Sequence, residues 1–173
     1  TSGTTGSPRG VRLSLQMLET VADSLTLAAS AVNEDRALVL LPLSILLENI
    51  GSVYVPVLAG AEILVPDPAD LGLTGSSRVD AELFAMAMQK LRPTAMILPP
   101  QLLKLLVGLA EQQLLPDSLR FIAVGGAPVG MALLDAARDA GLPVYQGYGL
   151  SEACSVVALN TTDNHYLGSV GKP

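Results

Sequence analysis

Leu15, Leu18, Ala22, Leu25, Ala29 and Val32 recur at alternating spacings of three and four, the apolar stripe of an amphipathic helix. Further helices are predicted at Val79 to Leu91, begun by Ser77-Arg78-Val79-Asp80 as a capping box, at Gln101 to Gln112, and at Val129 to Ala140, closed by Gly141. Between them lie short apolar runs, Thr94 to Leu98, Leu119 to Val124 and Val144 to Gln146, each followed by proline or glycine. Such runs read as strands of a buried parallel sheet.

The longest apolar stretch, Ala37 to Ala61, is long enough to span a bilayer. Pro42, Glu48, Asn49 and Pro56 argue against a span. Dividing it into a strand at Ala37 to Leu41, a helix near Ser44 to Leu58 and a strand at Ala61 to Val65 makes both prolines and Gly60 punctuation. Strand, helix and strand in succession predict an α/β fold, a mostly parallel sheet flanked by helices and joined by right-handed crossovers. Residues 1–173 read as one α/β unit, because the only linker-like stretch, Pro66 to Ser77, is short enough for a surface loop.

Such sheets bind ligands at the carboxyl ends of their strands. Two glycine-bearing segments fall there: Gly125-Gly126-Ala127-Pro128 after LRFIAV, and Gly147-Tyr148-Gly149-Leu150-Ser151-Glu152 after PVYQ.

Composition narrows the picture. The chain is 50% hydrophobic, so it can bury a core, and its net charge of −6 with scattered Lys and Arg argues against a nucleic-acid partner. Cys154, the single cysteine, is expected to be a buried inert thiol.

The opening segment, Thr1 to Gly10 (TSGTTGSPRG), combines hydroxyl side chains, glycines and the permanent cation Arg9, the parts of a polyphosphate cradle. It is not a Walker A loop, since Pro8-Arg9-Gly10 stands where Gly-Lys-Ser/Thr would be required. Taken by composition alone it reads as a loop or linker.

The string resembles the phosphate-binding signature of the AMP-forming adenylating superfamily. Val124 to Pro128, Tyr148-Gly149-Leu150-Ser151-Glu152 and Gly168-Ser169-Val170-Gly171-Lys172-Pro173 are similar to further family motifs, in the family's order. The resemblance implies ATP-dependent activation of a carboxylic acid to acyl-AMP, with transfer to CoA, by a ligase using ATP and Mg²⁺. It implies that Thr1, Ser2, Gly3, Thr4, Thr5, Gly6 and Arg9 wrap the phosphates. Gly126, Ala127 and Pro128 would recognise the base, Tyr148 and Gly149 would hold the adenine, and Ser151 would bond a phosphate. Glu152 would carry the metal, with Arg9, Ser151 and Glu152 as the catalytic set.

The segment Leu41 to Glu48 resembles the long-chain fatty acyl-CoA synthetases, with Ile45 in a position where they carry histidine. The expected substrate is therefore a long-chain fatty acid, met by Ile45, Val124 and Gly125. The resemblance places the chain as a central piece of a large domain, without the lysine-bearing C-terminal domain and with little activity alone. A single cysteine, which cannot form an internal disulfide, fits a reducing compartment, so a cytoplasmic protein with scope for peripheral membrane association is expected.

Two rival readings remain open. Gly149-Leu150-Ser151-Glu152-Ala153 nearly matches the nucleophile elbow of a serine esterase, with Asp163 and His165 following in hydrolase order. A non-catalytic nucleotide-binding fragment is the other.

Overall fold

The computed structural model describes residues 10–74 and 78–173. Helix α1, Leu15–Ala28, starts at Ser14, whose side chain accepts from the Met17 amide. Strand β1, Arg36–Leu38, leads into one continuous helical stretch: α2, Leu46–Asn49, a π turn at Ile50–Tyr54, and α3, Val55–Ala59. Gly60 ends it in the left-handed region at φ 71°, a conformation that glycine adopts without strain. Strand β2, Glu62–Leu64, follows. This division of the long apolar stretch agrees with the sequence reading, and among the described residues no helix is long and apolar enough to cross a membrane.

A small antiparallel hairpin, β3 at Leu73–Thr74 with β4 at Arg78–Val79, then interrupts the stretch expected to be a plain loop. Helix α4, Ala81–Leu91, is capped by Asp80, whose carboxylate accepts from the Glu82 and Leu83 amides at 3.0 and 3.1 Å. The expected capping box at Ser77 is thus replaced by a single-residue cap, of a kind that contributes about 1 kcal/mol; Ser77 itself lies outside the described residues. The rest runs β5 Ala95–Leu98, α5 Pro100–Glu111, β6 Phe121–Val124, α6 Met131–Asp139, β7 Val144–Leu150, a 3₁₀ turn at Ser151–Ala153, and β8 Ser155–Leu159.

The six-stranded sheet has the order β2-β1-β5-β6-β7-β8, parallel except for β8 against β7. The α/β class expected from the sequence is therefore what the chain adopts. From β1 the chain first moves outward to β2 and then returns past β1 to β5. With right-handed crossovers, that reversal sends the β1 connection and the later helices to opposite faces.

Side-chain alternation follows. Leu38, Met96, Leu98, Ile122, Val124 and Val144 join Phe84, Met88, Leu103, Leu106 and Leu134 of α4, α5 and α6 in the main core. Ala37, Ala95, Ile97 and Ala123, one residue out of phase, face the other way, toward α1 and the α2–α3 stretch. Among the described residues a small cluster forms there, centred on Ala22, Ile50 and Cys154. One face is filled by large aliphatic side chains. The other, floored by alanines, keeps a void.

Candidate functional site

That void is a cavity of about 280 Å³, near the lower end of small-molecule site volumes. It lies on the reversal point between β1 and β5, where open α/β sheets bind their ligands. Its upper wall is the carboxyl ends of β6 and β7: Val124, Gly125, Gly126 and Gly147 to Ser151. Its side is the α2–α3 stretch, with Ile45, Gly51 and Ser52, and its lower end reaches Asp35 and Arg120.

The π turn adds a residue to the helix over this wall. It leaves Gly51 against Ile97, where a Cβ would meet Ile97 Cδ1 at 2.3 Å. Insertions of this kind recur at functional sites.

Seven of the residues singled out in the sequence come together here: Ile45, Val124, Gly125, Gly126, Tyr148, Gly149 and Ser151 all line the cavity. They arrive from three separated segments because β1, β6 and β7 point their carboxyl ends the same way. Ile45 sits just before α2, 41% exposed, and its side chain can neither carry a proton nor bond a carboxylate.

Two positions require glycine, one for close approach and one for backbone conformation. A Cβ at Gly149 would stand 1.7 Å from the Ser155 carbonyl oxygen, at the irregularity where β8 pairs with β7, and Gly126 lies at φ 78°. Tyr148 is 53% exposed, so its ring is open to a planar partner.

Ala127 and Pro128 continue the turn after Gly126 but lie on the surface outside the cavity wall. Glu152, in the 3₁₀ turn, is also exposed, and its carboxylate has no ion-pair partner among the described residues. Among those residues there is no group of three His, Cys, Asp or Glu side chains that could hold a metal by itself. Thr1, Ser2, Gly3, Thr4, Thr5, Gly6 and Arg9 lie outside the described residues.

The esterase triad is not assembled. His165 packs its ring on Tyr145, 5.4 Å between centroids, near the start of β7, whereas Ser151 follows the end of that strand. Six residues of extended chain separate the two levels, about 20 Å. No hydrogen bond joins Ser151, Asp163 and His165. Cys154 is buried against Ala22 and Ile50, and burial pushes its thiol pKa up, as an inert thiol requires.

Two buried acids, Asp35 in the cavity wall and Glu48 behind it in α2, were not among the expected site residues. Asp35, 4% exposed, accepts from Arg120 through both oxygens, from Thr94 Oγ1 at 2.6 Å and from the Val32 amide at 2.9 Å. Burial alone would raise its pKa; the bonds from Arg120, Thr94 and Val32 outweigh that and hold it below the usual carboxylate range.

Glu48, fully buried in α2, accepts from the Leu40 amide at 2.9 Å through Oε1, while Oε2 has no partner. Burial pushes its pKa up to about 7, only partly countered by the Leu40 amide and the neighbouring Ser52 hydroxyl and Leu41 amide. The sequence assigned neither acid a role at the site; Glu48 entered it only as a polar break in the apolar stretch and as the end of the Leu41 to Glu48 segment. Asp35 follows a helix and reads as a loop residue, and Glu48 occupies one position of an apolar helix, so the only available signal was an acidic residue on a face that should be buried.

Over residues 1–173 the chain matches the family described as AMP-binding enzyme. It is 30% identical over 177 residues to the 2-succinylbenzoate–CoA ligase of Bacillus subtilis strain 168, an alignment covering 100% of this chain and 33% of that protein. To the same ligase of Bacillus pumilus it is 29% identical over 175 residues, again 100% and 33%. The chain thus spans about a third of the length of the curated relatives it matches.

Among solved structures, the O-succinylbenzoate coenzyme A synthetase of Bacillus subtilis in complex with ATP and magnesium ion superposes with a TM-score of 0.78 at 28% identity, over 100% of this chain and 34% of that one. An anthranilate CoA ligase in complex with anthranoyl-AMP gives 0.83 at 24% identity, over 100% and 32%, a likeness of fold. The acids named in these proteins are aromatic. The long-chain fatty subgroup suggested by Leu41 to Glu48 finds no support in them; of that segment, which forms a loop and the start of α2, only Ile45, Leu46 and Leu47 reach the cavity, whose floor is built elsewhere.

Proposed function

This chain belongs to the AMP-binding enzyme family, and from that premise we propose that the protein activates a carboxylic acid with ATP and passes the acyl group to CoA. The observation that carries the reading is the convergence of Ile45, Val124, Gly125, Gly126, Tyr148, Gly149 and Ser151 on one cavity at the strand ends. The relatives named as ligases of CoA support the acceptor, and their acids support an aromatic body over a fatty chain. The cavity suits such a body, because alanine side chains at 37, 95 and 123 leave a flat apolar slot against the sheet.

In this reading an oxygen of the acid's carboxylate bonds to the α-phosphorus of ATP as the bond to pyrophosphate breaks. The CoA thiol then attacks the acyl carbonyl and AMP leaves. The chain's own contribution is positioning in a site shielded from water.

Gly125 and Gly126 let the acid and the nucleotide approach the ends of β6 at backbone distance, and a Cβ at Gly125 would already stand 3.1 Å from the Gly147 oxygen. Tyr148 offers its exposed face to the base, Gly126 to Pro128 the turn beside it, and Ser151 a hydroxyl toward the α-phosphate. Thr1 to Gly6 and Arg9 would wrap the remaining phosphates. Magnesium, when bound, neutralises phosphate charge, and the exposed Glu152 carboxylate fits it as a hard oxygen ligand. Ile45 supplies apolar contact at the carboxyl-end rim and can neither carry a proton nor bond a carboxylate there.

The test is ATP–pyrophosphate exchange by the protein with a panel of aryl, fatty and amino acids. Exchange with an aryl acid is expected, and absence of exchange with every acid would remove the reading. Ester cleavage that vanished in Ser151→Ala would instead restore the esterase.

A further inference from the structure

The cavity does not stop at the apolar slot. It runs along the sheet face from the glycine turns at the carboxyl ends of β6 and β7 to the amino end of β6, where Asp35 and Arg120 form its far wall. Between Gly125 and Arg120 lie five steps of extended chain, about 16 Å. A simple benzoate seated at the glycine turns covers less than half of that length.

The far end is polar in a particular way. The Asp35 carboxylate is saturated, accepting from the Val32 amide, Thr94 Oγ1, and Arg120 Nε and Nη2. Arg120 donates those two bonds and a third, from Nη1 to the Ala29 carbonyl at 2.9 Å. A guanidinium has five N–H groups, so among the described residues two are unused, one on each terminal nitrogen. Its side chain also keeps 33% of its exposure while Asp35 keeps 6%. The far wall therefore lacks an acceptor and has no spare one of its own. The two charges offset each other, so nothing there demands a full negative charge.

Resting on the ligase reading, we propose that the acid is elongated: an aromatic acid whose arm, on the side away from the reacting carboxyl, ends in a hydrogen-bond acceptor that meets Arg120. Ala37 and Ala95, paired in register across β1 and β5, gauge the arm by leaving the middle of the slot open. A branched side chain at either position closes the path between the two ends.

The experiment is ATP–pyrophosphate exchange by the full-length protein with benzoate, 4-alkylbenzoates of graded arm length, and the same acids ending in a hydroxyl. The kcat/KM is expected to rise with arm length. The hydroxyl series should exceed the alkyl series by about tenfold at one length, the worth of one buried bond to a charged donor. In Ala95→Leu the ratio of long-armed to short acids falls at least tenfold, chiefly through KM. In Arg120→Lys the hydroxyl advantage falls toward one.

Each readout is a ratio between acids in one preparation, so partial misfolding cancels. A preference for benzoate itself, or a hydroxyl series no better than the alkyl series at every length, overturns the inference and leaves the ligase reading standing. No exchange with any acid removes both.

Discussion

Glu48→Gln should stabilise the protein at neutral pH, which is the reverse of the usual outcome for a buried group that makes hydrogen bonds. Glu48 is fully buried with Oε2 unpartnered, and burial lifts its pKa from 4.5 to about 7. A folded-state value above the unfolded one means that the folded protein binds more protons between those two pH values. Stability is therefore fully present below pH 4.5, falls by up to about 1.4 kcal/mol per pH unit as pH rises, and levels off above pH 7.

Over the whole window the loss is about 3 kcal/mol. Glutamine keeps an acceptor for the Leu40 amide and cannot ionise, but leaves an amide donor to be satisfied, a cost of about 1 kcal/mol. The net gain at pH 8 is about 2 kcal/mol, and at pH 4 the variant should equal or fall slightly below the wild type.

Urea unfolding midpoints of the two proteins from pH 4 to pH 8 measure this. The carboxyl-carbon NMR titration of Glu48 gives the pKa directly. Parallel pH profiles for the two proteins, or a Glu48 midpoint below 5, would refute the reasoning.

Other substitutions read other parts of the structure. Asp35→Asn leaves Arg120 without its buried counter-charge and should destabilise by about 3 kcal/mol or more, seen as a lower melting temperature. In the wild type the stability from Asp35, whose pKa is held below the usual range, persists above pH 4 and is lost as pH falls through the lowered value; an unchanged acid-unfolding midpoint in the variant would contradict this. Gly149→Ala drives a Cβ into the Ser155 carbonyl and should part β8 from β7, costing about 3 kcal/mol and weakening nucleotide binding, read by calorimetry. Glu152→Gln should leave the melting temperature within 1 to 2 °C, since an exposed side chain contributes about 0.5 kcal/mol at most. It should also raise the magnesium concentration needed for half-maximal exchange at least about tenfold, the worth of roughly 1.4 kcal/mol.

The glycine turns were legible because their requirement is local. A chain that must curl at φ 78° after a buried strand, as at Gly126, or pass within contact of a neighbouring strand, as at Gly149, has glycine and little else to choose from. The parallel strands were legible for a similar reason, since burial on both faces leaves continuous apolar runs such as FIAV. Edges were harder. The expected strand Val144 to Gln146 extends to Leu150 and pairs antiparallel with β8, which no run announced, because half-exposed residues such as Val157 and Leu159 do not alternate cleanly. The closing motif is explained by the same edge: a Cβ at Gly171 would stand 2.1 Å from the Leu159 backbone, where Lys172 bridges to β8.

Sequence by itself determined the α/β class, the strand ends that border the cavity, and the glycine turns that follow them, because each is dictated by neighbours a few positions away. Which acid the site takes was beyond it. The motif at Leu41 to Ile45 pointed to a fatty chain, yet the shape of the slot depends on Ala37, Ala95 and Ala123, on three strands that meet only after folding. Its far end depends on Asp35 and Arg120, 85 residues apart and joined by the sheet's reversal. An alanine reads as ordinary core until the tertiary structure shows that none of the described side chains fills the space above it.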